Sequence, residues 1–141
     1  SGAKASAIVL KKEFTDVKDL LCIDYTSAYS TPSLDKLVRI FVYDRQGKGS
    51  FTVGDEFTAN APIRFETAIT TQANWKIIDD THLLLTTGTE QMTVTIEASG
   101  KVAFTSETIE VNSPAYTRIG ISLKEQSKDG YIRLTMRTKQ L

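Results

Sequence analysis

From Leu21 to Thr138 apolar residues recur mainly at every second position, and clusters of Gly, Pro, Asn, Asp and Ser interrupt them at a spacing of about 8–12 residues. A period of two puts successive side chains on opposite faces of an extended strand, so such a chain is committed to sheets with one face buried. Ile63, Phe65, Thr67 and Ile69 alternating with Arg64, Glu66, Ala68 and Thr70 show the pattern most cleanly. The β-branched residues agree with it: 19 Thr, 12 Ile and 8 Val in 141 residues, spread along the chain rather than clustered. Strands do not alternate with long helical segments, which excludes a parallel α/β sheet.

The turn signals divide the chain further. Leu21–Tyr25 reads as a half-buried strand ending at Ser30-Thr31-Pro32-Ser33, and Lys36–Arg45 as an interior strand with apolar residues on both faces, interrupted by Arg39. Asp44-Arg45-Gln46-Gly47-Lys48-Gly49 is a turn into a strand from Ser50. Asn74–Ile78 and Thr81–Thr87 flank the acidic turn Asp79-Asp80. Met92, Val94 and Ile96 lead through Ser99-Gly100 into Val102–Val111 as a hairpin closed by Asn112-Ser113-Pro114, and Ala115–Glu125 with Tyr131–Thr138 predicts a final hairpin. The expectation is a mainly β chain forming a single antiparallel β-barrel of eight to ten strands, with a β-sandwich as the alternative. Residues 1–7 are small and predict a flexible segment, leaving 8–141 as one domain. Leu10, Phe14, Val17 and Leu21 are spaced by four, three and four, which predicts a short N-terminal helix; Thr15 and Asp16 suit the cap of a second short helical turn through Leu21, a break that leaves an extended arm over 8–14 as the alternative.

The stretch from Leu37 to Thr86 resembles bacterial lipocalin-like proteins, small calycin-type barrels. The resemblance rests on the Asp44–Gly49 turn, then Trp75-Lys76-Ile77, Asp79-Asp80 and Leu83-Leu84-Leu85. It implies a barrel of about eight strands, wide enough to be filled by its own side chains or to hold one small apolar or amphipathic ligand. The bulky inward candidates for such a ligand are Phe41, Phe65, Trp75, Met92 and Phe104.

Chemistry is narrowly bounded. Seventeen basic and seventeen acidic residues cancel, which argues against a nucleic-acid groove or a polybasic membrane patch. One His and one Cys cannot supply a zinc site or a disulfide framework, and no loop has the acidic spacing of a calcium site. His82 follows Thr81 directly, and in a strand the two would point to opposite faces, so no catalytic pairing is expected there. The chain is therefore read as a non-enzymatic binding protein without a metal or cofactor. Tyr116, Arg118, Tyr131, Arg133 and Arg137 make the predicted C-terminal hairpin basic and aromatic, the makeup of a partner-binding surface, such as that of an accessory subunit of a cell-envelope assembly. The longest apolar runs are four residues, Ala7–Leu10 and Leu20–Ile23, which excludes a transmembrane helix. The small-residue start suits a lipid tether, and with it a periplasmic or outer-membrane-tethered location. The oligomeric state is not legible in the chain.

Overall fold

A computed structural model describes residues 7–29, 31–110 and 114–139. The expected flexible segment 1–7 lies outside these residues apart from Ala7, and so do parts of the expected breaks at Ser30 and Asn112-Ser113. The described residues form eleven strands: β1 (Ile8–Phe14), β2 (Lys18–Asp24), β3 (Leu34–Asp44), β4 (Ser50–Ile63), β5 (Glu66–Thr71), β6 (Asn74–Asp79), β7 (His82–Thr87), β8 (Glu90–Ala98), β9 (Val102–Ile109), β10 (Tyr116–Leu123) and β11 (Ser127–Thr138). All pairings are antiparallel. They make an eight-stranded sheet, in the order β1-β2-β3-β4-β11-β8-β7-β6, and a three-stranded sheet, β5-β10-β9.

The two sheets share one core. Leu37, Phe57, Leu83, Val94, Ile96, Ile132 and Leu134 contribute from the large sheet, and Val102, Ile119, Ile121 and Leu123 from the small one. Phe65, at the crossing from β4 to β5, stacks on Phe57 with ring centroids 4.6 Å apart. The chain changes sheet at Arg64-Phe65, Gln72-Ala73, Ser99–Lys101 and Lys124–Gln126. The large sheet ends in the edges β1 and β6 and the small one in β5 and β9, so neither closes on itself among the described residues. The antiparallel, mainly β expectation holds, in a sandwich-like layering in place of the closed barrel.

Two further expectations are corrected. The N-terminal helix is a hairpin, with β1 paired to β2. Leu10 and Phe14 are an even number of residues apart, a spacing that a strand shares with a helix face, and Val17 lies in the turn. Thr15 does hold free amides there: its Oγ1 accepts from the Val17 and Lys18 N–H at 3.3 and 2.9 Å, in a hairpin turn instead of a helix cap. The hairpins expected around Ser99-Gly100 and Ser127–Gly130 are absent. β8 pairs with β7 and β11, while β9 and β10 pair with each other. Alternation reports which face of a strand is buried and is blind to which sheet the strand joins. By contrast, the β3–β4 turn follows its residues, with Gly47 and Gly49 at φ 60° and 84° and Asp44 Oδ1 accepting from the Gln46 N–H at 2.9 Å.

Phe57 is 1% exposed and Ile8 61%. Phe57→Ala is therefore expected to cost about 3–5 kcal/mol, from lost transfer energy plus an unfilled cavity, and Ile8→Ala less than about 0.5 kcal/mol. Urea midpoints of the two variants measure the difference.

Candidate functional site

Cross-strand register fixes what the large sheet turns toward the small one. Side by side on that inner face stand Leu37 and Phe57, then Arg39 and Asp55, then Phe41 and Val53, then Tyr43 and Phe51. Burial falls along the series. Leu37 and Phe57 are in the core, Asp55 is 2% exposed, Phe41 and Val53 are half-buried, and Tyr43 and Phe51 are exposed. The face continues onto β2 and β1 through Leu21 beside Phe41, Asp19 beside Tyr43 and Phe14 beside Asp19. Phe14 is 68% exposed. Phe14, Leu21, Phe41, Tyr43 and Phe51 thus form a partly exposed apolar strip crossed by the Asp19–Arg45 ion pair, whose guanidinium lies 5.2 Å from the Tyr43 ring, and the Phe41 and Phe51 rings are 6.4 Å apart. Exposed apolar residues grouped on one face mark an interaction site more often than scattered single residues do. The edge of β1 itself is blunted by a register shift between Val9 and Lys11 and by the adjacent Lys11 and Lys12, both of which oppose pairing with a further strand.

At the border between core and strip, Arg39 grips Asp55 with two hydrogen bonds, Nε to Oδ1 at 2.6 Å and Nη2 to Oδ2 at 2.8 Å. The Tyr25 ring lies 5.3 Å from the guanidinium carbon. The hydrogen bonds to Asp55 raise the Arg39 pKa above its ordinary value despite burial. Sequence reading registers Arg39 only as an interruption of β3. The signal it leaves unused is Asp55 at an inward position between Val53 and Phe57 on the next strand.

The expected ligand residues do not converge on one cavity. Phe65 is buried in the core, Trp75 and Phe104 pack half-buried against it, Phe41 belongs to the strip and Met92 is exposed. The expected partner residues divide between two sheets. Tyr116 and Arg118 are on β10, at the strand positions opposite in parity to the buried Ile119, Ile121 and Leu123, and Tyr131, Arg133 and Arg137 are on β11, opposite in parity to the buried Ile132 and Leu134, so each set points outward from its own sheet. Arg118 is engaged with Glu66 at 2.9 Å and Arg133 with Glu97 at 3.3 Å, and Arg133 also lies over the Tyr131 ring at 5.5 Å.

Thr81 and His82 do meet, against expectation, because Thr81 lies in the β6–β7 turn and not in a strand. Thr81 Oγ1 is 3.0 Å, and Asp79 Oδ1 2.8 Å, from the same ring nitrogen, His82 Nδ1. A relay needs the orienting carboxylate on one ring nitrogen and the nucleophile on the other. With both partners on Nδ1, the cluster is a turn lock. The Thr81 N–H and then His82 hold the Asp79 carboxyl below its usual range.

At one end of the sandwich, two clefts of about 530 and 290 Å³ adjoin. Ser99, Gly100, Lys101, Leu123, Lys124, Glu125, Gln126, Ser127 and Asp129 line the first, and Asp80, Thr81, Ile96, Ala98, Gly100, Lys101, Val102 and Lys124 the second. Among the described residues no group of three or more His, Cys, Asp and Glu is placed to hold a metal ion, and no helix is long and apolar enough to cross a membrane.

No family model and no curated protein matches the chain. Solved structures of heparinase III do. One has a TM-score of 0.65 at 17% identity, covering 92% of this chain and 21% of that one. A heparinase III with methylated lysines has a TM-score of 0.69 at 12% identity, covering 95% of this chain and 22% of that one. A third heparinase III structure gives 0.62 at 12% identity, with coverages of 92% and 21%. The likeness is one of fold, and the chain spans about a fifth of the length of these neighbours.

Two outcomes follow from the geometry. Arg39→Leu leaves the buried Asp55 carboxyl without its partner, and is expected to cost about 3 kcal/mol or more, while the double variant Arg39→Leu, Asp55→Leu recovers most of that loss; denaturant unfolding of both variants reads the difference. Asp24 accepts from the Thr26 N–H and Oγ1, and Thr26 Oγ1 accepts from the Leu37 N–H at 2.8 Å, which ties β2 to β3. These hydrogen bonds hold the Asp24 carboxyl below its ordinary value. A depressed carboxylate gives its full stability above the unfolded pKa and loses it as pH falls through the folded one, so the thermal midpoint should drop between about pH 5 and pH 2. Asp24→Asn should be less stable at neutral pH and show a flatter profile over that range.

Proposed function

We propose that this chain is a non-enzymatic β module of a longer polysaccharide-acting protein, and that it seats against the rest of that protein through the apolar strip of Phe14, Leu21, Phe41, Tyr43 and Phe51. One observation carries the reading: nearly all of this chain matches about a fifth of each heparinase III chain, so the same fold occurs as one part of a larger polysaccharide-processing molecule. The strip supports it, since a three-stranded sheet leaves the inner face of β1–β4 partly bare and a neighbouring domain is what such a face accommodates. The non-enzymatic part is supported by the His82 cluster, whose two partners share one ring nitrogen, and by the engagement of Arg39, Arg118 and Arg133 with carboxylates. What the module contributes is a rigid platform, held by the Phe57–Phe65 stack and the core around it.

The chain alone, incubated with heparin, is expected to leave the polymer length unchanged by size-exclusion chromatography; depolymerisation by the purified chain overturns the non-enzymatic reading. An environment-sensitive dye such as anilinonaphthalene sulfonate is expected to fluoresce on the folded chain. Phe14→Ser, Phe51→Ser should remove most of that signal at an unchanged thermal midpoint. Undiminished fluorescence in this variant counts against the strip as the seat.

A further inference from the structure

The paired clefts at the end of the sandwich have a charge arrangement that neither the fold nor the apolar strip requires. Their frame is fixed by backbone and side-chain bonds: the Lys124 N–H donates to the Lys101 carbonyl at 2.9 Å, Arg64 Nη2 to the Lys124 carbonyl at 3.2 Å, the Ile96 N–H to the Thr81 carbonyl at 2.8 Å, and the Tyr131 N–H to Ser99 Oγ at 3.0 Å. Lys101 and Lys124 line both clefts, so the two cations stand on the shared border. Glu125 and Asp129 line only the larger cleft and Asp80 only the smaller, so carboxylates lie to either side of that border. None of these five charged groups belongs to an ion pair among the described residues. Gly100 at the border adds no side chain, and the half-buried Ala98 supplies a little C–H surface over the buried Ile96, Val102 and Leu123 behind it.

We propose that this trough binds an acidic oligosaccharide, with a sugar carboxylate at Lys101 and Lys124 and the hydroxyls of the flanking sugars donating to Glu125 and Asp129 on one side and to Asp80 on the other. The chemistry fits each group. Lysine ammoniums are donors only and ionised carboxylates acceptors only, so an anion belongs between the lysines and hydroxyl donors belong against the acids. Sugar rings present C–H faces to apolar surface and hydroxyls at their rims. The larger cleft alone is within the usual range of ligand sites, about 300–1,000 Å³. The ligand class rests on the polysaccharide reading above, whereas the position of the site rests on the cleft itself.

The test is heteronuclear NMR titration of the whole chain with an unsulfated tetrasaccharide of alternating glucuronate and N-acetylglucosamine, with neutral chitotetraose and calcium chloride as comparisons. The acidic tetrasaccharide is expected to shift amides at residues 80–81, 99–101 and 123–129. Lys101→Gln, Lys124→Gln should weaken its binding by about tenfold or more, and Lys12→Gln, Lys76→Gln, which removes as much positive charge elsewhere on the surface, should leave it unchanged. Equal responses to chitotetraose and the acidic tetrasaccharide, an equal loss in both double variants, no response to the acidic tetrasaccharide, or shifts induced by calcium alone each overturn the proposal. Any of these with the chain still inactive on heparin and the dye still bound to the strip leaves the module reading intact, so the two failures are told apart.

Discussion

The stack of Phe57 on Phe65 joins the last inward aromatic of β4 to the residue at which the chain leaves the large sheet, and the layered core grows from that contact. Three strands laid over eight must leave part of the larger face without cover. On β7, β8 and β11 the inward residues Leu83, Val94, Ile96, Ile132 and Leu134 are all nearly inaccessible. On β3 and β4 the cover gives out, and the inner face passes from core residues to the Arg39–Asp55 pair and then to exposed aromatics. A bidentate ion pair suits that boundary. Its charges are satisfied by each other on the buried side, while the half-buried guanidinium keeps some contact with water.

The same imbalance separates what holds the molecule together from what it offers to others. Stability resides under the small sheet, and the two surfaces proposed for contact with other molecules lie at its margins, the strip on one side and the clefts at one end. Turns carry Asp80, Lys101, Lys124 and Glu125, four of the five charged cleft residues, because strand positions in a thin sandwich are committed to one of two faces, whereas turns have side chains free of that constraint. Lys101 and Lys124 occupy two of the crossings between sheets, and the bond between the Lys124 N–H and the Lys101 carbonyl keeps them together.

Much of the strand pattern was legible because alternation depends on local burial alone. The interior strand Lys36–Arg45, the glycine turn after it and the β6–β7 turn at Asp79-Asp80 all emerge near their expected places. Sheet membership was not legible. Ser99-Gly100 and Ser127–Gly130 look like hairpin turns, but the strands that flank them find partners far along the chain, which no local pattern encodes. For the same reason Tyr116 and Arg118 are separated from Tyr131, Arg133 and Arg137. The helical spacing of Leu10 to Leu21 misled because an interval of four satisfies both periods. The Arg39–Asp55 pair was present as two charges in apolar surroundings, and only the register of β3 on β4 shows that they face each other.

β11 lies between β4 and β8 and joins the meander β1–β4 to the meander β6–β8. Its partners on β4 are paired from Phe51 with Met136 to Ile63 with Ser127. During synthesis the two meanders therefore emerge with β4 and β8 as bare edges, each ready to accept any extended segment, and the seam closes only when the last strand arrives. Loop closure over so long a stretch is slow compared with hairpin formation. The vulnerable moment in the life of this chain is thus the interval before its final strand is in place, when two half-sheets wait for the same partner.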